Sequence, residues 1–180
     1  MNLLSIFQQR HSIRKYTGAP IDDAALTQII QAGLLSASSR SIRPWEFIVV
    51  KDKDMLRHLS ECRTGAAWML AGADAAIVVI ANAEASDVWI EDCSIAMANM
   101  HLMADSLGVG SCWIQGRLRT ATTADSGTAS VTTEDYVREC LDFPEGYKLE
   151  AILSLGMPAE EKTPAELSKL PFEKIHYEKF

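Results

Sequence analysis

Between residues 86 and 107 the chain offers a helix with no solvated side. From Cys93 to Ala104 it is apolar nearly all round, interrupted only by Ser94, Asn99 and His101. A surface helix of a globular protein keeps a polar face toward water, so a helix without one must be covered on every side. Ser86 is the expected N-terminal cap and Gly108 the expected stop. In a chain of 180 residues that demand points to a subunit interface.

The rest of the sequence supplies layers to pack against this helix. Leu3, Leu4, Ile6 and Phe7 predict a short amphipathic helix that ends at a basic knot. Asp22 or Asp23 caps a second helix after Pro20, with Leu26, Ile29, Ile30, Gly33 and Leu34 on its buried face. Residues 45–50 read as a strand from their aromatic and β-branched content. Residues 52–62 form a surface helix with Met55, Leu56 and Leu59 turned inward. The run 74–81 is continuously apolar and of strand length, hence buried on both faces. Residues 111–115 and 149–155 read as further strands, and Thr132 with Asp135 opens a helix as a capping box does. Strands alternating with helices indicate an α/β layered domain. Residues 1–180 are expected to form one domain. The charged tail from about 158 to 180 carries Phe172, Tyr177 and Phe180, too aromatic for a disordered end, so it is expected to dock.

The net charge of −7 argues against nucleic acid as a partner. The distribution says more. Residues 64–116 contain no Lys or Arg, whereas residues 10–15 hold Arg10, Arg14 and Lys15. A basic knot in an acidic chain can hold a small anion; a solvated charge cluster is the alternative. No apolar run reaches membrane-spanning length and the N-terminus has no signal-peptide pattern. Cys62, Cys93, Cys112 and Cys140 are far apart, which suits reduced thiols in the cytoplasm rather than a disulfide framework or a zinc site. The P-loop, nucleophile-elbow, HExxH and strand-leading GxGxxG patterns are absent. The four histidines lack metal spacing, and His101 reads as a hydrogen-bonded core histidine. Glu91 and Asp92 point different ways on a helix and make a poor acid–base pair.

Four segments, in order, carry a resemblance. Arg10-His11-Ser12-Ile13-Arg14-Lys15-Tyr16 resembles the opening RRS[IV]RxY/F motif of the nitroreductase family. Ser36-Ala37-Ser38-Ser39-Arg40-Ser41-Ile42-Arg43-Pro44-Trp45 is similar to its APSxxNxQPW segment. Asp105 through Gly116, ending Trp113-Ile114-Gln115-Gly116, is similar to the segment that closes the long helix and leads to the flavin. Leu155-Gly156-Met157-Pro158 resembles its LGYP. The resemblance implies an α+β fold: a three-layer α/β/α sandwich with a mostly antiparallel sheet, assembled as a homodimer on whose surface the tail docks. It implies an FMN-dependent oxidoreductase that passes electrons from NADH or NADPH to an organic acceptor, nitroaromatic or quinone, by a ping-pong mechanism. The chemistry is the cofactor's, so no catalytic residue of the chain is expected. A non-catalytic protein that stores or senses FMN is the alternative reading, and an FMN-free domain that binds another phosphate or a carboxylate is a third.

Carried over residue by residue, the resemblance puts Arg10 and Arg14 on the phosphate and ribityl side and counts His11, between them, among the cofactor-binding residues. Ser12 would meet the ring edge or the ribityl hydroxyls. Ser38 and Ser39 would arrive from the partner subunit, Gln115 and Gly116 would bring a backbone N–H near flavin N5, and Lys169 would add a phosphate charge from the tail. A planar guanidinium suits a doubly charged phosphomonoester. Trp45 and Trp113 read as core rather than stacking residues. His11, Ser41, Arg43 and Gln115 depart from the residues often found in the family. Arg43 would place positive charge near the flavin N1–O2 edge. The polar stretch 117–132 reads as a weakly fixed substrate-side lid, with Arg117 and Arg119 at its root.

Overall fold

The apolar run becomes the strand around which the other layers are arranged. The computed structural model describes residues 2–122 and 130–180. Its strands are β1 (Trp45–Val50), β2 (Ala75–Asn82), β3 (Gly110–Gln115) and β4 (Tyr147–Gly156). They form one sheet of order β1-β2-β4-β3, antiparallel at every pairing. β2 and β4 are central, so their side chains must be apolar on both faces. Ile77, Val79, Leu153 and Leu155 face one layer and Ala76, Val78, Leu149 and Ile152 the other, all fully buried. Each such branched side chain contributes roughly 1.5–3 kcal/mol of hydrophobic stabilisation.

On the first face lie α2 (Asp23–Leu34) and α4 (Trp89–Ser106), with α1 (Leu3–Gln9) outside them against α4. On the second face lie α3 (Lys53–Leu59), α5 (Thr133–Leu141) and the 3-10 segment Trp68–Gly72. This is the expected three-layer α+β sandwich with an antiparallel sheet. Two caps follow the sequence: Asp22 Oδ1 accepts from Ala24 N–H and Thr132 Oγ1 from Asp135 N–H. The helix expected over residues 52–62 spans Lys53–Leu59, with Asp52 outside it as a cap whose Oδ1 accepts from Met55 N–H.

Two local expectations are corrected. α4 starts at Trp89, and Ser86 is not its side-chain cap. The Ser86 hydroxyl is spent instead on Asp92 Oδ2, at 3.2 Å, in a turn before the helix. Leu34 is 52% exposed rather than buried. The cause is its neighbour: a Cβ on Gly33 would lie 2.9 Å from Met100 Sδ, so Gly33 is the position pressed against α4. The next residue is turned about 100° round the helix, away from that contact.

α4 itself is covered only in part. Cys93, Ala96, Met97, Met100 and Ala104 are buried, but Ile95 stays 43% exposed. A groove of about 280 Å³ runs between α1, the end of α2 and α4, lined by Leu3, Ile6, Leu35, Leu102 and Met103. Among the described residues no helix is long and apolar enough to cross a membrane. The tail is anchored at its start, where Ala159 N–H donates to Lys15 C=O and Ala165 N–H to Gln8 C=O. Beyond it, Phe172, Tyr177 and Phe180 are exposed.

Candidate functional site

β3 is an edge strand, and the basic knot lies along its open side. Ser12 pairs with Ser111 as a parallel bridge, and Ile13 N–H donates to Ser111 C=O at 2.9 Å. Two glycines permit this approach: a Cβ on Gly110 would meet Ile13 at 2.8 Å, and one on Gly156 would meet Tyr16 at 2.6 Å. Tyr16 hydroxyl donates to Ile13 C=O at 2.9 Å and shares a hydrogen bond with Ser154. From outside, Glu160 Oε1 accepts from Arg14 N–H at 2.7 Å and from Lys15 N–H at 3.3 Å. The Arg14 amide first, and Lys162 second, hold the Glu160 carboxyl down to about 2. The knot is therefore fixed by its backbone, which leaves its side chains to meet a ligand.

Those side chains divide. Arg10 turns to the α4 layer, with Nη1 2.9 Å from His101 Nε2. Ser12 and Arg14 stand beside Cys112 on the other side of the strand; burial raises that thiol, and Arg14, Ser12 and Arg63 pull it back. His11 turns away toward the tail: Nδ1 contacts Gln9 C=O at 2.6 Å, and the ring lines a cleft of about 250 Å³ with Asp105, Glu160 and Lys162. Arg63 carries no motif. Its only signal in the sequence is its position as the last cation before the stretch without Lys or Arg.

The β3–β4 register decides which backbone amides remain free. Gly116 N–H and Arg117 N–H both donate to Glu150 C=O, each at 3.0 Å. Pairing alternates along an antiparallel ladder, so the Gln115 N–H faces the open edge. Of the two amides expected near the flavin, Gln115 has the one available. Gly116 has a packing role, since a Cβ there would sit 2.5 Å from Leu149 Cδ2. The Gln115 side chain accepts from Trp113 Nε1 at 2.9 Å and donates to Glu150 Oε1 at 3.3 Å. Glu150 is 3% exposed, its Oε2 has no partner among the described residues, and burial raises its carboxyl pKa. Beside Gly116 opens a cleft of about 640 Å³, lined among others by Trp89, Arg117, Arg119, Glu134 and Lys148.

Ser38, Ser39 and Arg43 belong to a loop at the opposite edge of the sheet, leading into β1. Ser39 N–H donates to buried Asp92 Oδ1 at 2.8 Å and Arg43 N–H to Ser38 Oγ at 2.9 Å. Arg40, Ser41 and Arg43 all have left-handed backbones, φ 51°, 55° and 53°. Such a run persists only where the surroundings enforce it, and it clusters at ligand sites. Lys169 lies in the exposed tail, 2.7 Å from Glu166, and is not brought to the knot. The root of the expected lid is tied down: Thr120 pairs with Thr132, Ala121 N–H donates to Val131 C=O and Thr64 N–H to Thr120 C=O. The remainder of that lid, residues 123–129, lies outside the described residues.

One chain thus collects Arg10, Ser12, Arg14, Arg63 and Gln115 at the β3 edge and holds Ser38, Ser39 and Arg43 at the β1 edge. Comparison with known proteins gives this arrangement its relatives. The model of the nitroreductase family matches residues 7–67 and 55–157. An Archaeoglobus fulgidus protein named NADH dehydrogenase/NAD(P)H nitroreductase is 36% identical, the alignment covering 98% of each chain. The solved structure of an FMN-dependent nitroreductase from Clostridium difficile superposes with a TM-score of 0.91 at 43% identity, over 98% of this chain and 99% of that one. A crystal structure of a Parabacteroides distasonis protein of the same NADH dehydrogenase/NAD(P)H nitroreductase name gives 0.86 at 31% identity over the whole of both chains. With sequence, fold and site segments all in agreement, the chain belongs to the nitroreductase family.

Proposed function

We propose that the protein is an FMN-dependent oxidoreductase that takes electrons from NADH or NADPH and delivers them to a small organic acceptor of the nitroaromatic or quinone class. The observation that carries this reading is the β3 edge, where cations and an outward-facing backbone amide share one strip beside a cleft. The donor set fits FMN. Arg10 would hold the phosphate, Ser12 the ribityl hydroxyls or ring edge, and Arg14 and Arg63 further negative charge. The Gln115 N–H would meet the ring at N5, and Gly116 would keep the strand end close against Leu149. When bound, FMN supplies the two-electron chemistry, accepting hydride from the nicotinamide and passing it to the acceptor.

The chain's own residues bind, orient and exclude water. A fixed amide needs no reorganisation when charge changes near it. Trp113 and Glu150 hold the Gln115 side chain, which fixes the strand end that carries this amide. The cleft beside Gly116 admits donor and acceptor in turn, which is the basis for ping-pong kinetics and parallel double-reciprocal lines.

The functional unit is a homodimer. Ser38, Ser39 and Arg43 cannot reach the knot of their own chain from the opposite edge of its sheet, so a second copy must supply them. The groove between α1, α2 and α4 is the apolar face that copy would cover, and the tail beyond Ala165, with Lys169, would dock on it. Residues 1–180 act as one FMN-binding domain with this tail from about 158. The four free cysteines suit a reducing cytoplasm.

An absorbance spectrum tests the function. The purified protein should be yellow or become so with FMN, at about one flavin per subunit because two-fold symmetry repeats each site. Anaerobic NADH or NADPH should bleach the flavin band and a quinone should restore it. A protein that binds no FMN overturns the cofactor assignment, and a yellow protein that neither nucleotide bleaches overturns the enzyme in favour of storage or sensing.

A further inference from the structure

His101 sits midway along α4, 7% exposed, and contacts the knot on one side and β3 on the other. Its Nε2 lies 2.9 Å from Arg10 Nη1, and its Nδ1 is hydrogen-bonded to Ser111 Oγ. A guanidinium can only donate, so Nε2 must accept and the ring must be neutral. The proton is then on Nδ1 and is donated to Ser111 Oγ. Burial, and secondarily Arg10, lower the ring pKa to about 4, which agrees with that assignment. Ser111 thereby anchors the knot twice. Its carbonyl accepts from Ile13 N–H, and its hydroxyl orients the imidazole that accepts from Arg10.

A core histidine needs only one satisfied partner per nitrogen, and a water or a backbone carbonyl would serve. Here one nitrogen is committed to a long, mobile cation that sequence resemblance assigns to the ligand. An arginine side chain has many rotamers to lose, and a side chain ordered in advance does not lose that freedom on binding. The guanidinium has five N–H donors, so a bond to His101 leaves several for a bidentate partner.

We propose that His101 is a positioning residue: through the tautomer fixed by Ser111, it pre-orders the Arg10 guanidinium for a phosphomonoester. This rests on the reading that Arg10 meets the FMN phosphate. The experiment compares FMN with riboflavin, which lacks the phosphate, by titrating apoprotein and following flavin fluorescence. Wild type should favour FMN strongly. His101→Leu should lower the FMN-to-riboflavin affinity ratio roughly tenfold, the worth of a hydrogen bond to a charged group. His101→Gln, whose amide oxygen can accept from Arg10, should restore most of the ratio. A merely structural histidine would shift both flavins alike and leave the ratio unchanged, which overturns the proposal. Arg10→Ala separates the two readings. If it leaves the ratio intact, the phosphate assignment itself fails; if it collapses the ratio while His101→Leu does not, only the positioning role fails. Should the leucine variant not fold, Ser111→Ala unlocks the ring and should lower the same ratio. An unchanged ratio in that folded variant overturns the proposal equally.

Discussion

Single residues in this site are tuned by burial before any ligand is considered. His101 gives the clearest consequence for pH. Above the ordinary imidazole value of 6.5 the ring is neutral in folded and unfolded chains alike, and it contributes nothing to pH dependence. Below that value the unfolded chain takes up a proton, while the folded ring stays neutral until about 4. Stability contributed by this group is therefore lost as pH falls from 6.5 to about 4, by roughly 3 kcal/mol at 1.36 kcal/mol per unit. Arg10 faces the ring from the knot. Asp105, whose carboxyl burial raises and Arg10 and His11 lower, lies one turn further along α4. Other groups also titrate in this range, so the quantity to measure is a difference. Urea unfolding of wild type and His101→Gln at several pH values should show the wild type losing its advantage toward pH 4. Parallel curves would mean that the ring is not held neutral.

At the scale of elements, the loop of residues 38–43 holds three of the six left-handed non-glycine residues among the described residues. Ser41 has φ 55° between two arginines that share the left-handed region. An L-residue there loses roughly 1 kcal/mol against its preferred conformation, less for asparagine. Ser41→Asn should raise unfolding stability by about 0.5 kcal/mol, by analogy with other relief of left-handed strain, and leave FMN affinity nearly unchanged. A fall in stability would mean that the Ser41 side chain itself holds the turn. Nothing in the letters Arg40-Ser41-Ile42-Arg43 announces such a backbone, because the usual markers, Gly and Asn, are absent. Elsewhere the sequence was legible in proportion to how locally each feature is determined. Caps at Asp22 and Thr132 and the two-sided burial of β2 depend on near neighbours in the chain. The antiparallel order does not: alternating strands and helices also describe a parallel sheet, and only the family resemblance chose between them. The occupancy of the Gly116 amide depends on register with Glu150, far away in sequence, and the charge of Arg63 acts on Cys112 from a loop without any motif. Glu150 stood in plain view as the one carboxylate in an apolar strand, yet its buried oxygen, unpartnered among the described residues, is a property of packing alone.

For the whole molecule, the decisive fact is that the two groups of candidate residues occupy opposite edges of one sheet. Three strand spacings of about 4.8 Å separate β1 from β3, and both loops lie outboard of those strands. Within one chain Ser39 is tied to Asp92 and Arg10 to His101, about 14 Å apart along α4, so the two do not meet. A two-fold copy would bring them together without distortion if its interface set the knot of each chain against the loop of the other, as the proposed dimer requires. The surface such a copy needs is present: Leu3, Phe7, Leu35 and Ile95 are 63%, 53%, 84% and 43% exposed around α1, α2 and α4. Sites shared in this way can be complemented. Arg10→Ala removes a cation from one side of each site, and Ser39→Glu sets a carboxylate against the phosphate from the other side. Either homodimer carries the lesion in both sites and should bind FMN weakly. In a heterodimer of the two variants, one site receives both lesions and the other receives neither. Co-expressed chains bearing different affinity tags, purified through both, should hold one tightly bound FMN per pair and recover NAD(P)H-dependent bleaching for that flavin. If each site were built within one chain, the heterodimer would bind FMN no better than its parents, since every chain would still carry its own lesion. A stable FMN-loaded monomer in light scattering at micromolar concentration would lead to the same conclusion by a different route.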